Sequence, residues 1–514
     1  MDPKILESAR SCFPPASGAL TLGAVVHDGA CHPEPLVGLP LSMINRHGLI
    51  AGATGTGKTK TLQLIAEQLS AAGVPVFLSD VKGDLSGIGA PGEASDRVNT
   101  RAADTGYTWK PLAAPVEFLS LTGKFGAQVR ATVSSFGPVL LAKVLGLNAT
   151  QTSVLSLVFK YCDDKGLLLL DFSDLRAVLQ HLTGDGADEL AQYGGMSKAT
   201  VGVLLREMIE LEQQGAEDFF GEPEFDLDDL MEVEADGRGR VSVLELQDVQ
   251  DRPALFSTFM LWMLARLYNQ LPEVGDVDRP KLVFFLDEAH LLFDNASEAL
   301  LNQVEQVVRL IRSKGVGVFF ITQNPRDVPA EVLGQLGHRV QHALRAFTPD
   351  DEKALRSAAR TFPKTTFYDI EETLTTLGIG EALVTTLSTN GVPTQPFATR
   401  MVPPASRMGP LTATELEDVN ERSEQVRRYA TDIDRESARE MLADRAAPVR
   451  EKENEEEPDD APEKPRARRE KEAPSALDKI LKSPLTRTVA GAITRGIMGA
   501  LLGGSSRSRS RRRR

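Results

Sequence analysis

Cysteine is scarce in this sequence, and the three residues present, Cys12, Cys31 and Cys162, form no C-x-x-C pair. That spacing argues against a disulfide framework and against a zinc knuckle, and leaves small incidental thiols. The opening segment MDPKILESAR lacks the apolar stretch of a secretory signal, and no run of about 20 apolar residues offers a membrane span. We therefore expect a cytoplasmic protein with no integral membrane span. Positive charge is also in short supply: 58 Lys and Arg against 72 Asp and Glu give a formal net charge of −14. This balance argues against a basic coat for nucleic acid, although a local basic channel survives such averaging. There is no internal repeat, and 514 residues correspond to about three units by length. Hydrophobic residues at 41% and charged residues at 25% supply an ordinary globular composition with enough apolar material for a large core.

Short strands alternate with helical patterns through most of the chain, which predicts an α/β fold around a mostly parallel sheet. Residues 1–40 carry short apolar runs broken by Gly and Pro and read as a small β appendage. Residues 41–125 open the main fold with a buried strand at 47–51, a Gly-rich turn, a helix at 59–72 and a second strand at 74–79. Residues 126–235 read as a helical insertion without clear strands. The sheet resumes over 236–408, with strands at 240–246, 281–286, 317–322, 340–346 and 381–387. A charged helical segment follows at 409–447. Residues 448–474 are rich in Glu, Lys, Arg and Pro and cannot bury enough apolar area to offset ordering, so a disordered linker is expected. Within 475–514, Leu485, Val489, Ile493, Ile497 and Leu501 form an apolar ridge suited to docking on the body or on a neighbouring subunit. A basic tail ends the chain.

The residues Gly52-Ala53-Thr54-Gly55-Thr56-Gly57-Lys58-Thr59, followed by Lys60, fit G-x-x-x-x-G-K-[ST] between a strand and a helix. Glycines let backbone N–H groups curl round phosphates, and the helix N-terminus adds partial positive charge. Lys58 is placed to reach the β- and γ-phosphates of ATP, and Thr59 to join a Mg²⁺ shell. This is the phosphate loop, or Walker A motif, of a RecA-like P-loop NTPase. The buried strand ending in Asp287-Glu288 offers a Walker B pair, Asp287 for the metal and Glu288 as general base toward water. The strand 317–322 ends at Gln323. Were it to lie between the other two strands, that amide would face the γ-phosphate.

Asp80 and Asp84 read either as support for metal or water or as an Asx turn with a cap. An arginine completing a neighbour's site has candidates in Arg309, Arg312, Arg339 and Arg345, of which Arg312 ends a helix and Arg345 follows a strand. His290, His338 and His342 lack a third partner for a metal set and read as packing or rim groups.

GATGTGKTKT, DVKGDL, FFLDEAH and VGVFFITQNP, in this order, resemble the HerA/FtsK division of P-loop ATPases, and most closely the bacterial HerA-like proteins of YjgR type. The resemblance runs from about Ala19 to Leu502. It implies a hexameric homo-oligomer that passes double-stranded DNA or protein through a central pore. It also implies Walker A roles for Lys58 and Thr59, Walker B roles for Asp287 and Glu288, and a sensor role for Gln323. Residues 1–40 stand where HerA proper carries a sizeable β-barrel. Two functions remain open: a helicase- or translocase-like motor on DNA, and a regulatory or assembly ATPase acting on a protein partner. A small-molecule kinase fits less well, because no segment resembles an arginine-rich lid.

Overall fold

In the computed structural model, which describes residues 3–14, 18–275, 277–293, 298–431, 433 and 435–445, twelve strands form one sheet. The linker expected at 448–474 and the helix and tail expected at 475–514 lie outside the described residues. The strands are β1 (Ala19–His27), β2 (Ala30–Pro40), β3 (Gly48–Ala51), β4 (Val76–Asp80), β5 (Val116–Ser120) and β6 (Ala127–Gln128). They continue with β7 (Val241–Glu245), β8 (Leu282–Leu286), β9 (Val316–Thr322), β10 (His338–His342), β11 (Glu381–Thr385) and β12 (Phe397–Met401). Their spatial order is β2-β1-β12-β11-β10-β3-β9-β8-β4-β7-β5-β6.

From β10 to β6 every neighbouring pair is parallel, and from β10 to β2 every pair is antiparallel. The central parallel strands β3, β8 and β9 read as nearly unbroken apolar runs because both faces are covered. In β8, Leu282, Phe284 and Leu286 join one core while Val283 and Phe285 join the other. β9 divides the same way, with Val316, Val318 and Phe320 against Phe319 and Ile321. Helix Lys58–Ala71 buries Leu62, Ile65 and Leu69 in the second core. Helix Pro253–Gln270 lies against the first, together with the helices between Val133 and Phe219. This is a RecA-like α/β architecture.

The first residues are not an appendage beside the sheet. Helix Pro3–Cys12 precedes a hairpin, and β1 pairs antiparallel with β12 through Gly23 and Met401. Ile5, Ala9, Leu20, Leu22 and Val25 enter the same core as helix Lys58–Ala71. A Cβ on Gly23 would lie 2.1 Å from the carbonyl oxygen of Arg400, so only glycine permits this approach. The turn itself is Asp28-Gly29, both with positive φ (50° and 73°), a sequence signal for a two-residue hairpin. β5, β12 and helix Asp96–Thr105 are further elements that the strand and helix patterns did not bring out. Within the helical insertion read at 126–235, residues 133–144 form two short helices, Val133–Phe136 and Pro138–Val144, separated at Gly137 (φ 76°).

Candidate active site

β3 runs into the phosphate loop and helix Lys58–Ala71 leaves it, so the loop sits at the carboxyl edge of the parallel strands. Gly52, Gly55 and Gly57 all have positive φ, at 153°, 76° and 114°. At Gly52 a Cβ would lie 2.5 Å from the Cβ of His342, and at Gly57 one would lie 3.3 Å from Gly380. The loop is pinned from its flanks: the N–H of Gly52 donates to Thr322 O (3.3 Å), that of Ala53 to Ala343 O (2.9 Å), and that of Gly380 to Thr56 O (2.9 Å). Thr56 Oγ1 closes the turn onto Ala53 O at 2.7 Å. Lys58 Nζ donates to the carbonyls of Gly52 (2.7 Å) and Ala53 (3.2 Å), and its burial lowers its pKa. The ammonium thus lies over the carbonyls of its own loop, at the first residue of the helix. Thr59 and Lys60 are half-buried on the first turn of the helix. Lys60 Nζ donates to Gln63 Oε1 (3.3 Å), and burial lowers its pKa against the opposing fields of Asp84 and Asp80.

β9 lies between β3 and β8. That order puts Gln323 beside the loop, where its Oε1 accepts from Thr54 Oγ1 at 3.3 Å. One strand further on, β8 delivers Asp287 and Glu288 to the same edge. Asp287 is buried; its N–H donates to Ser79 Oγ (2.9 Å), and its Oδ1 accepts the N–H of Glu288 (2.9 Å). Burial, reinforced by the Glu288 charge, pushes the Asp287 carboxyl up to about 7. A carboxylate desolvated in this way, on the edge that holds the phosphate loop, suits a cation. Glu288 is left-handed at φ 46°, ψ 51°, an uncommon conformation for a residue with a Cβ. Its side chain is buried, one oxygen pairs with Lys82 Nζ, and the other lies 3.4 Å from His290 Nδ1 with no hydrogen-bond partner.

Asp80, at the end of β4, is occupied elsewhere. Its Oδ1 accepts the backbone N–H groups of Lys82 (3.2 Å), Gly83 (2.7 Å) and Asp84 (3.3 Å), and its Oδ2 accepts that of Leu85 (2.7 Å). It therefore holds a turn, the Asx alternative. Burial raises it even so, and the neighbouring buried Glu245 is raised for the same reason.

The arginine candidates are scattered. Arg345 is exposed just after β10, at the carboxyl edge, and donates to Thr375 O (3.3 Å). Arg312 precedes β9, at the opposite edge from the loop, and the structure does not bring it to this chain's own site. Arg309 lies one turn earlier on the helix, and Arg339 is largely buried, with Nη2 on Leu333 O (3.3 Å).

His338 and His342 do not meet a metal set; among the described residues no group of three or more His, Cys, Asp or Glu is placed to hold an ion by itself. His342 lies between Glu381 O (Nδ1, 2.9 Å) and Thr61 Oγ1 (Nε2, 2.9 Å), which ties the phosphate-loop helix to β10 and β11. Burial drives it down to about 4, so it is neutral. Sequence reasoning passed over Lys82, Ser79 and His342 as parts of the site. Only Lys82 left a signal, a cation between two acids in DVKGD at a strand end.

Among known proteins, the DNA double-strand break repair helicase HerA of Sulfurisphaera tokodaii is 26% identical over 150 residues, 28% of this chain and 29% of that one. A probable helicase of Methanocaldococcus jannaschii is 24% identical over 152 residues, 28% of each chain. The chain thus spans well under half the length of these curated relatives. Among solved structures, the plasmid coupling protein TrwB in complex with ADP and Mg²⁺ is 16% identical, with 78% of this chain and 94% of that chain covered and a TM-score of 0.48. The match to the family described as helicase HerA-like C-terminal extends over residues 29–511, and the chain belongs to that family.

Proposed function

We propose that this protein hydrolyses ATP with Mg²⁺ and uses the cycle to move double-stranded DNA, as a cytoplasmic ring of identical subunits. The observation that carries the hydrolytic part is the strand order β3-β9-β8, which puts the phosphate loop, Gln323 and the Asp287–Glu288 pair on one edge. The loop N–H groups and Lys58 bind the phosphates, and Lys58 exchanges its two carbonyl partners for phosphate oxygens. Thr59 and Asp287 are the residues that would hold Mg²⁺, which supplies charge neutralisation at the phosphates when bound. Glu288 takes the proton of the attacking water, and Gln323 orients that water or registers loss of the γ-phosphate. An arginine from an adjacent subunit, Arg312 or Arg345, completes the site. Family membership supports the DNA motor. Among the described residues no helix is long and apolar enough to cross a membrane.

The net charge of −14 favours a second reading, a regulatory ATPase that acts on a protein partner. Steady-state ATPase activity at about physiological salt, with and without double-stranded DNA, separates the two. Stimulation of about tenfold, lost in Lys58→Ala, supports the motor. Turnover indifferent to DNA moves the function to a protein partner, and sedimentation of the same sample with ATP tests the ring.

A further inference from the structure

Lys82 has no part in the reading above, yet it is the cation nearest the carboxylate assigned as base. It stands on a turn with little freedom: Asp80 accepts four successive backbone N–H groups from Lys82 to Leu85. Gly83 completes the turn at φ 74°, where a Cβ would lie 2.1 Å from Gln247 Nε2. From this platform Lys82 Nζ donates to Glu288 Oε1. The lysine side chain is 51% exposed and the Glu288 side chain 7% exposed, so the cation reaches inward to a carboxylate that water hardly touches. Glu288 itself enters the site from a left-handed backbone, and its Oε2 has no hydrogen-bond partner. One oxygen is therefore gripped, and the other lies buried 3.4 Å from His290 Nδ1 without a hydrogen bond. A carboxylate held in this way has a fixed orientation and a lone pair that no hydrogen bond takes up.

We propose that Lys82 is a positioning residue for ATP hydrolysis: its ammonium fixes the Glu288 carboxylate through Oε1 and leaves Oε2 to accept the proton of the attacking water. The proposal rests on Glu288 being the base. Lys82 touches neither phosphate nor metal in this role, so its loss leaves nucleotide binding intact and slows the chemical step. Small misplacements of a reacting group cost large factors in rate.

The test is kcat and KM for ATP in Lys82→Met, Lys82→Arg, Glu288→Gln and the double variant Lys82→Met/Glu288→Gln. Lys82→Met keeps the stem and removes only the charge, and unchanged binding of a fluorescent ATP analogue reports an intact loop. We expect kcat to fall by about 100-fold in Lys82→Met with KM within about twofold. Lys82→Arg retains the cation and recovers at least about tenfold of that loss. The double variant is no slower than Glu288→Gln alone, because the two residues act as one unit. A rise in KM with kcat preserved makes Lys82 a phosphate ligand and overturns the proposal, as does wild-type kcat in Lys82→Met or an additive loss in the double variant. Wild-type turnover in Glu288→Gln removes the base assignment itself. Loss in Glu288→Gln beside full activity in Lys82→Met removes Lys82 alone.

Discussion

The two edges of the same parallel strands bury polar groups in opposite ways. At the amino edge, His47 lies between Val308 O (Nε2, 2.8 Å) and the N–H of Val318 (Nδ1, 3.0 Å). His338, also there, lies between Met43 O (Nε2, 2.7 Å) and the N–H of Leu387 (Nδ1, 3.4 Å), with its ring stacked on Phe319. Each ring nitrogen has a backbone partner that suits a neutral imidazole, and burial drives both rings down to about 4. At the carboxyl edge His342 repeats that pattern, with Thr61 Oγ1 as one of its partners. The ionisable groups gathered there also include buried Asp80, Glu245, Asp287 and Glu288, with Lys58 and Lys82 beside them. Burial there opposes charge in Asp80, Glu245, Asp287 and Lys58, and orphaned oxygens remain on Glu245 and Glu288. Polar groups whose every hydrogen bond closes within the backbone hold a fold together. Desolvated charges that keep an oxygen without a partner, as Glu288 does, mark the edge suited to a reaction, whereas Asp80 closes its contacts on a turn.

The contrast breaks most visibly if the carboxyl-edge charges prove dispensable. Lys58→Ala removes the cation that the loop holds over its own carbonyls and should abolish binding of a fluorescent ATP analogue. Glu288→Gln should keep that binding and lose about 10³-fold or more in kcat, within the range for removing a general base. A Glu288→Gln protein that hydrolyses ATP at the wild-type rate would reduce the strand-end pair to a structural feature.

How much of this was legible in the sequence follows from which signals are local. The phosphate loop, the strands flanking it and the Asp287–Glu288 strand end declare themselves through glycine spacing and unbroken apolar runs. The interposition of β9 is a matter of strand order, which no local pattern encodes; the sequence supports it only as a condition on Gln323, and the pairs Ala51–Thr322 and Leu286–Phe320 meet it. The hairpin β1–β2 joins the sheet through β12, almost four hundred positions away. Its apolar runs therefore looked like an isolated unit. Strands β5 and β12 carry Glu117 and Arg400 among their apolar residues, which blurs their patterns. Lys82 was invisible as a partner of Glu288 for the same reason as β9, since the contact spans two strands far apart in sequence.

The two edges should also respond to pH with opposite sign. Asp287 has its carboxyl pushed from 3.8 up to about 7. Over that window the folded chain binds more protons than the unfolded one, so stability is lost as pH rises. Asp287→Asn should therefore stabilise the nucleotide-free chain at pH 8, by at most about 4 kcal/mol, while Mg²⁺-dependent hydrolysis is lost. Urea unfolding at pH 8 and at pH 5 checks this, with the larger gain expected at pH 8. A lower midpoint for the variant at pH 8 would mean that the carboxylate is a net support of the fold.

His47 gives the smaller and opposite effect. Its pKa falls from 6.5 to about 4 on burial, so between those values the unfolded chain binds the extra proton and stability is lost as pH falls. Protonation would put a second N–H on Nδ1, where the N–H of Val318 already donates. His47→Asn is the suitable replacement, because His47 sits at φ 58° and asparagine tolerates positive φ better than most residues with a side chain. The variant is less stable at neutral pH through lost packing and hydrogen bonds, so the informative quantity is the slope of unfolding free energy against pH. Between pH 4 and 6.5 that slope should be shallower than wild type by up to about 1.4 kcal/mol per pH unit, the value for one proton. An unchanged slope would mean that the ring already carries its proton in the fold. The amino edge would then hold charge as the carboxyl edge does, and the distinction between a structural and a reactive edge would fail.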